Sequence, residues 1–335
     1  MTDDNTMTDG GVAAGGDEAS PFDTVSEFEE TRKDKLRKWY DAYVYTPISI
    51  IWTDWRARIG FIIILAYLIM GIIGPQFVTR TSVLEGPALA QPFETMEYPL
   101  GTDDMGRDLM SQTVYSTQTI LKMVAAGATS TVAIGTIVGS IAGYKGGTVD
   151  RVVTTFSDIM MSIPGLPIVM VIAFIYQPED PLIIGPLIVI NYWAGLGRSI
   201  RSQVLTLREE PYVEASRTMG VPTWRILVKD IIPSLMPFIL VNFAFAARYV
   251  VFASVGLYYL GVLPTAFPNW GIMLNNAYSA GGAIYSLDAI YWIVFPMITI
   301  VSLSFGLVLF SQGTERLFNP RIRARHAETI EETAP

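Results

Sequence analysis

Six stretches of the chain are apolar, free of charge or nearly so, and long enough to cross a bilayer, which takes roughly 20 mostly apolar residues per helix. Residues 59–79 carry no charge between Arg58 and Arg80, and residues 123–144 carry none between Lys122 and Lys145. Residues 159–177 and 181–197 are equally clean, and only the turn Gln177-Pro178-Glu179-Asp180-Pro181 separates them, so they read as a tight helical hairpin. From Ile231 the chain stays apolar to about Gly261 with one interruption, Arg248. The last run lies between Asp288 and Glu315. The pattern predicts an all-α polytopic bundle of six transmembrane helices. Its parts are span one at 59–79, a long loop at 80–118, and a core at 119–315 that contains spans two to six.

The flanks differ in kind. Residues 1–31 hold nine acids and no Lys or Arg, and read as a disordered acidic tail rather than a signal peptide. Residues 32–58 are basic and aromatic, with Trp39, Tyr40, Tyr43, Tyr45, Trp52 and Trp55, as suits a membrane surface. Residues 316–335 form a charged tail. Placing the N-terminus inside puts nineteen Lys and Arg residues on the inner side, against Arg80 and Arg107 outside. That asymmetry predicts both termini in the cytoplasm and the protein in the cell membrane.

Composition agrees: 51% of residues are hydrophobic and 16% charged, and the mean hydropathy is +0.39. Soluble domains carry about a quarter charged residues. A net charge of −8 excludes a generally basic nucleic-acid binder, so the expected surroundings are lipid and protein, with no nucleic acid. There is no cysteine, and the single histidine, His326, stands in the charged tail. Acidic tails beside a basic inner face also hint at a salt-rich organism.

Within the bundle, Gly127, Thr131, Gly135, Gly139 and Gly143 recur every four residues and mark one helix face for close packing. Asp158 and Arg248 are charges near or within spans. Such charges face a partner or a water-filled path, so Arg248 is a candidate pathway residue, with a structural ion pair or a snorkelling side chain as the alternative.

The longest connection between spans on the inner side, within residues 198–233, predicts two short helices. Pro211 opens a helix over Tyr212–Met219, Gly220 permits the left-handed turn that ends it, and Pro222 opens a second over Thr223–Ile232. The result is a compact knob rather than a pocket. Glu214-Ala215-Ser216, then Gly220, then Ile232-Pro233 resembles the Glu-Ala-Ala loop in permease subunits of ATP-binding-cassette importers. Ser216 stands in place of Ala, and Asp230 where Ile is preferred. On the outer side, Tyr98-Pro99-Leu100-Gly101-Thr102-Asp103-Asp104-Met105-Gly106-Arg107-Asp108 resembles the signature loop of the dipeptide, oligopeptide and nickel class, specifically its "C" subunit. Ala142-Gly-Tyr-Lys-Gly-Gly147, Asp150-Arg151, Asp158 with Pro164, and Pro268-Asn-Trp-Gly271 extend the likeness over about residues 55–325. Phe252 departs from it, since relatives usually carry Glu there. Asp103, Asp104 and Asp108 lack the full ligand set of a calcium loop, and Asx-turn capping is the plainer reading.

The resemblance implies a transport subunit that does no covalent chemistry. Its expected partners are a homologous "B" permease subunit, two ATP-binding subunits and an extracytoplasmic substrate-binding protein. Tyr212, Glu214, Ala215, Ser216, Gly220 and Pro233 would couple it to an ATPase. The chain has no Gly-x-x-x-x-Gly-Lys-Ser/Thr, so ATP and magnesium are expected on the partner ATPases, with no cofactor or metal in this chain. Peptide is the substrate the resemblance implies first, with oligosaccharide and nickel as alternatives. The reading from another class is an ATP-independent channel or secondary carrier, which dependence on a partner ATPase would separate.

Overall fold

The computed structural model describes residues 52, 54–279 and 283–317, with side chains to 313. The acidic stretch 1–31, residues 32–51 of the basic segment and the tail beyond 317, with His326, lie outside the described residues. The regular elements among the described residues are all helices, with no strand beyond the isolated bridge Thr102–Asp108. Four unbroken helices are long and apolar enough to span a membrane: α1 (Trp55–Ile72), α3 (Leu109–Lys145), the continuous helix Thr223–Tyr259, and Tyr291–Gly313 within α12 (Tyr291–Leu317). Two bent pairs supply the fifth and sixth candidate spans: α4 (Gly147–Ser162) with α5 (Gly165–Tyr176), bent by 79°, and α6 (Pro181–Ile188) with α7 (Tyr192–Leu207), bent by 58°.

These breaks modify the expected hairpin, and their causes are local. Ile163 takes an extended conformation (φ −79°, ψ 125°) because it precedes Pro164, whose ring disfavours helix one residue upstream. The second break follows an in-helix proline, Pro186, and Val189 leaves helical geometry. Asn191 bridges the two bends by donating from Nδ2 to the Ile163 carbonyl at 2.9 Å.

Helix α3, 37 residues long, begins well before the apolar run that announced it. Its first turns are rich in hydroxyls, which read as polar in sequence. Thr113 and Thr117 donate back to the carbonyls four residues earlier at 2.7 and 2.8 Å, so each satisfies itself inside the helix. Asp108 caps the helix, accepting from the Met110 and Ser111 amides at 3.0 and 2.9 Å.

The four-residue glycine stripe sits where α3 meets α6 and α7. A Cβ at Gly127 would lie 2.7 Å from the Gly185 carbonyl, and one at Gly143 would lie 2.8 Å from the Arg201 carbonyl. One at Gly139 would overlap the Gly197 carbonyl outright. The stripe therefore serves packing within this chain. Near it, Arg201 Nη2 meets the Asp150 carboxylate at 2.6 Å, tying α4 to α7. The main apolar core lies among α1, α3, α10 (Ile232–Tyr259), α11 (Trp270–Ser279) and α12, with Trp270 and Trp292 fully buried. Helix α2 is a single turn, Gly74–Phe77.

Gly139→Val is expected to lose most of the detergent-stable folded chain from the membrane, because overpacking costs about 1–3 kcal/mol or more against rigid backbone. Gly195→Ala, where no atom lies within 4 Å of the added Cβ, is the control and is expected at wild-type levels. Thermal denaturation of the two variants followed by size-exclusion chromatography checks this; equal stability would refute the seam.

Candidate functional site

Helix α3 runs between two differently built ends of the bundle. At its Lys145 end sits the knob. Helix α8 (Pro211–Thr218) starts with Pro211 at its first position and ends in a Schellman turn. The Gly220 amide donates to the Arg217 carbonyl at 3.0 Å and the Val221 amide to the Ser216 carbonyl at 3.1 Å, with Gly220 at φ +74°. Short helix α9 (Thr223–Ile226) follows Pro222 and runs through a π-helical stretch, Leu227–Ile231, into α10. Pro233 explains that widening: its ring would collide with the Lys229 carbonyl and it has no amide to give. The bonding shifts instead, and the Ile232 amide donates to Leu227.

One side chain anchors the knob. Val213 is fully buried among Ile200, Val204, Ile226 and Ile231. Around it the surface is bare: Met219 is 73% exposed, Trp224 62% and Tyr212 44%, and Glu214 and Ala215 are exposed as well. Sequence reasoning overlooked Met219 and Trp224, which carry the most exposed large apolar surface on the knob. Ser216 donates to the Asp230 carboxylate at 3.1 Å. The two departures from the family pattern are thus partners, and together they pin α8 to the π-helical stretch. Arg208 donates to the Gly143 carbonyl at 3.1 Å, and the Arg217 guanidinium lies 5.7 Å from the Tyr144 ring, so the knob is tied to the end of α3. Glu214 borders a cleft of about 720 Å³ shared with Lys145, Arg208 and Arg217.

At the Leu109 end, residues 80–108 form a loop that the signature residues hold together. Asp103 is fully buried and accepts from the Met105 and Arg107 amides, from Arg107 Nε at 2.6 Å and from Gln112 Nε2 at 2.9 Å. Thr102 accepts from the Ala90 amide at 2.9 Å, and its carbonyl accepts from the Tyr291 hydroxyl at 2.8 Å. Gly101 (φ +81°) and Gly106 (φ +70°) make the turns, Asp104 is exposed, and Pro99 accepts from the Phe93 amide. Burial pushes the Asp108 carboxyl above the usual carboxylate range, against the pull of the Ser111 and Met110 amides. Asp103 closes an Asx turn and Asp108 caps α3, and among the described residues no group of three or more acidic, His or Cys side chains is placed to hold a metal.

Between the two ends, Arg248 lies on an uncovered face of α10. It is exposed, 5.6 Å above the Phe245 ring. Phe245 and Phe252 are exposed on the same face, at 38% and 50%. Asp158, by contrast, pairs with Arg198, each side chain about half exposed.

Comparison with known proteins places this architecture. Residues 135–324, from the glycine seam through the knob to α12, match the family described as "Binding-protein-dependent transport system inner membrane component". The chain is 29% identical over 301 residues to the oligopeptide transport system permease protein OppC of Bacillus subtilis (strain 168), covering 89% of this chain and 95% of that one. It is 30% identical over 270 residues to the dipeptide transport system permease protein DppC of the same organism, covering 80% and 82%. A third relative, DppC of Lactococcus lactis subsp. cremoris (strain MG1363), is 32% identical over 232 residues, covering 68% and 65%. The chain belongs to the inner membrane components of binding-protein-dependent transport systems, as a multi-pass permease subunit and not an enzyme.

Proposed function

We propose that this chain is one permease half of an ATP-driven peptide importer. The knob carries the reading. It offers exposed Tyr212, Met219 and Trp224 around Glu214, is fixed by Val213 and the Gly220 turn, and continues without interruption into the helix Thr223–Tyr259. A groove on a cytoplasmic ATPase receives this surface. From Thr223 to Arg248 the helix spans roughly 35–40 Å at 1.5 Å per residue. Movement of the knob therefore reaches the uncovered face of α10 along one continuous helix.

That face, with Phe245, Arg248 and Phe252, meets the homologous "B" permease subunit across the translocation path. ATP and magnesium stay on the two ATPases, and their closure draws the two knobs together and rocks the bundle between inward- and outward-open states. The excess of Lys and Arg at the knob end supports both termini in the cytoplasm. Residues 80–108 then face outward, where a substrate-binding protein delivers cargo. The names of the relatives, which are oligopeptide and dipeptide permeases, support peptide over oligosaccharide or nickel.

Two measurements test this in vesicles holding the complete complex. Gly220→Val forces a branched side chain onto a positive-φ turn. It is expected to abolish ATPase retention and ATP-dependent uptake while the chain reaches the membrane at normal levels; wild-type retention and uptake would refute the coupling role. Arg248→Met is expected to cut peptide uptake several-fold with the complex intact, and unaltered uptake would remove Arg248 from the path.

A further inference from the structure

The loop of residues 80–108, the first turns of α3 and the segment leading into α11 enclose a cleft of about 340 Å³, within the range of roughly 300–1,000 Å³ for small-ligand sites. Its lining is chemically one-sided. Arg80 and Arg107, the only two basic residues on the side assigned outward, both line it, and no carboxylate does. Two buried donors there have no partner among the described residues: Nη2 of Arg107 and Nδ2 of Asn269. Asn269 is fully buried, and its orientation is fixed because Oδ1 accepts from the Gly271 amide at 2.8 Å. The amide nitrogen is thereby committed to face elsewhere. Arg107 is oriented in the same way, since Asp103 takes its Nε and is itself immobilised by two backbone amides and Gln112.

Buried donors without acceptors are costly, and a fixed guanidinium and a fixed amide lining one cleft suit a planar anion with two acceptor oxygens. We infer that this cleft receives the C-terminal carboxylate of the peptide cargo on the outer side of the permease, with Arg107 and Asn269 as the inner donors and Arg80 as the charge at the mouth. The inference rests on the peptide reading above and adds to it a preference for free-acid ends. Hydrophobic side chains of the cargo are not read here; Phe267 and Met273 supply only the apolar wall of the cleft.

The test uses the full complex with its binding protein in vesicles, and two probes, tri-alanine and tri-alanine C-terminal amide. Asn269→Asp keeps the acceptor that caps the Gly271 amide but replaces the donor with a repelling charge. Arg80→Gln alters an exposed side chain and leaves the loop scaffold intact. Each variant is expected to lower the acid-to-amide ratio of kcat/KM about tenfold relative to wild type, through KM on the acid probe. An unchanged ratio would overturn the inference, the two donors then being merely hydrated. An equal loss on both probes would also overturn it, and would mark the cleft as a contact for the binding protein or the second permease. Failure of the wild-type complex to take up either probe would sink the peptide reading and this inference with it.

Discussion

Lipid gives helices no hydrophobic reason to associate, so the bundle depends on the places where backbones come close enough to pack. The seam between α3 and the α6–α7 pair is that place. Glycine at 127, 139 and 143 removes the side chains that would otherwise hold the carbonyls of Gly185, Gly197 and Arg201 away. Once α7 is seated, its end fixes where the knob can project, and the Arg201–Asp150 pair and the Arg208–Gly143 bond secure the same register at that end of the bundle.

From that seam the rest follows mechanically. The knob is small, anchored by one buried valine and one Ser–Asp hydrogen bond, and it is continuous with a helix that crosses the whole bundle. The opposite end is built differently. There Asp103 closes a turn and Asp108 caps a helix, so both carboxylates are engaged by backbone amides.

The knob was legible from sequence because Pro211, Gly220, Pro222 and Pro233 dictate backbone geometry directly. The glycine stripe was legible for the same reason. The two bends were not, because hydropathy reports composition and not direction. Pro164 and Pro186 were the available signals. The early start of α3 was hidden by hydroxyls that count as polar in sequence yet bond back to their own helix. Ser216 and Asp230 each looked like a minor departure, and only their juxtaposition explains both. The cleft near Arg107 draws on three separated segments, and no single stretch announces it.

The proposed function requires that this chain work only within an ATP-driven assembly. Mild solubilisation of native membrane, capture of this chain and identification of what accompanies it test that most directly. A second, related permease and two ATP-binding subunits are expected in the captured complex. Recovery of the chain alone or as a homo-oligomer that still transports in vesicles without ATP would contradict the claim and establish a channel or secondary carrier.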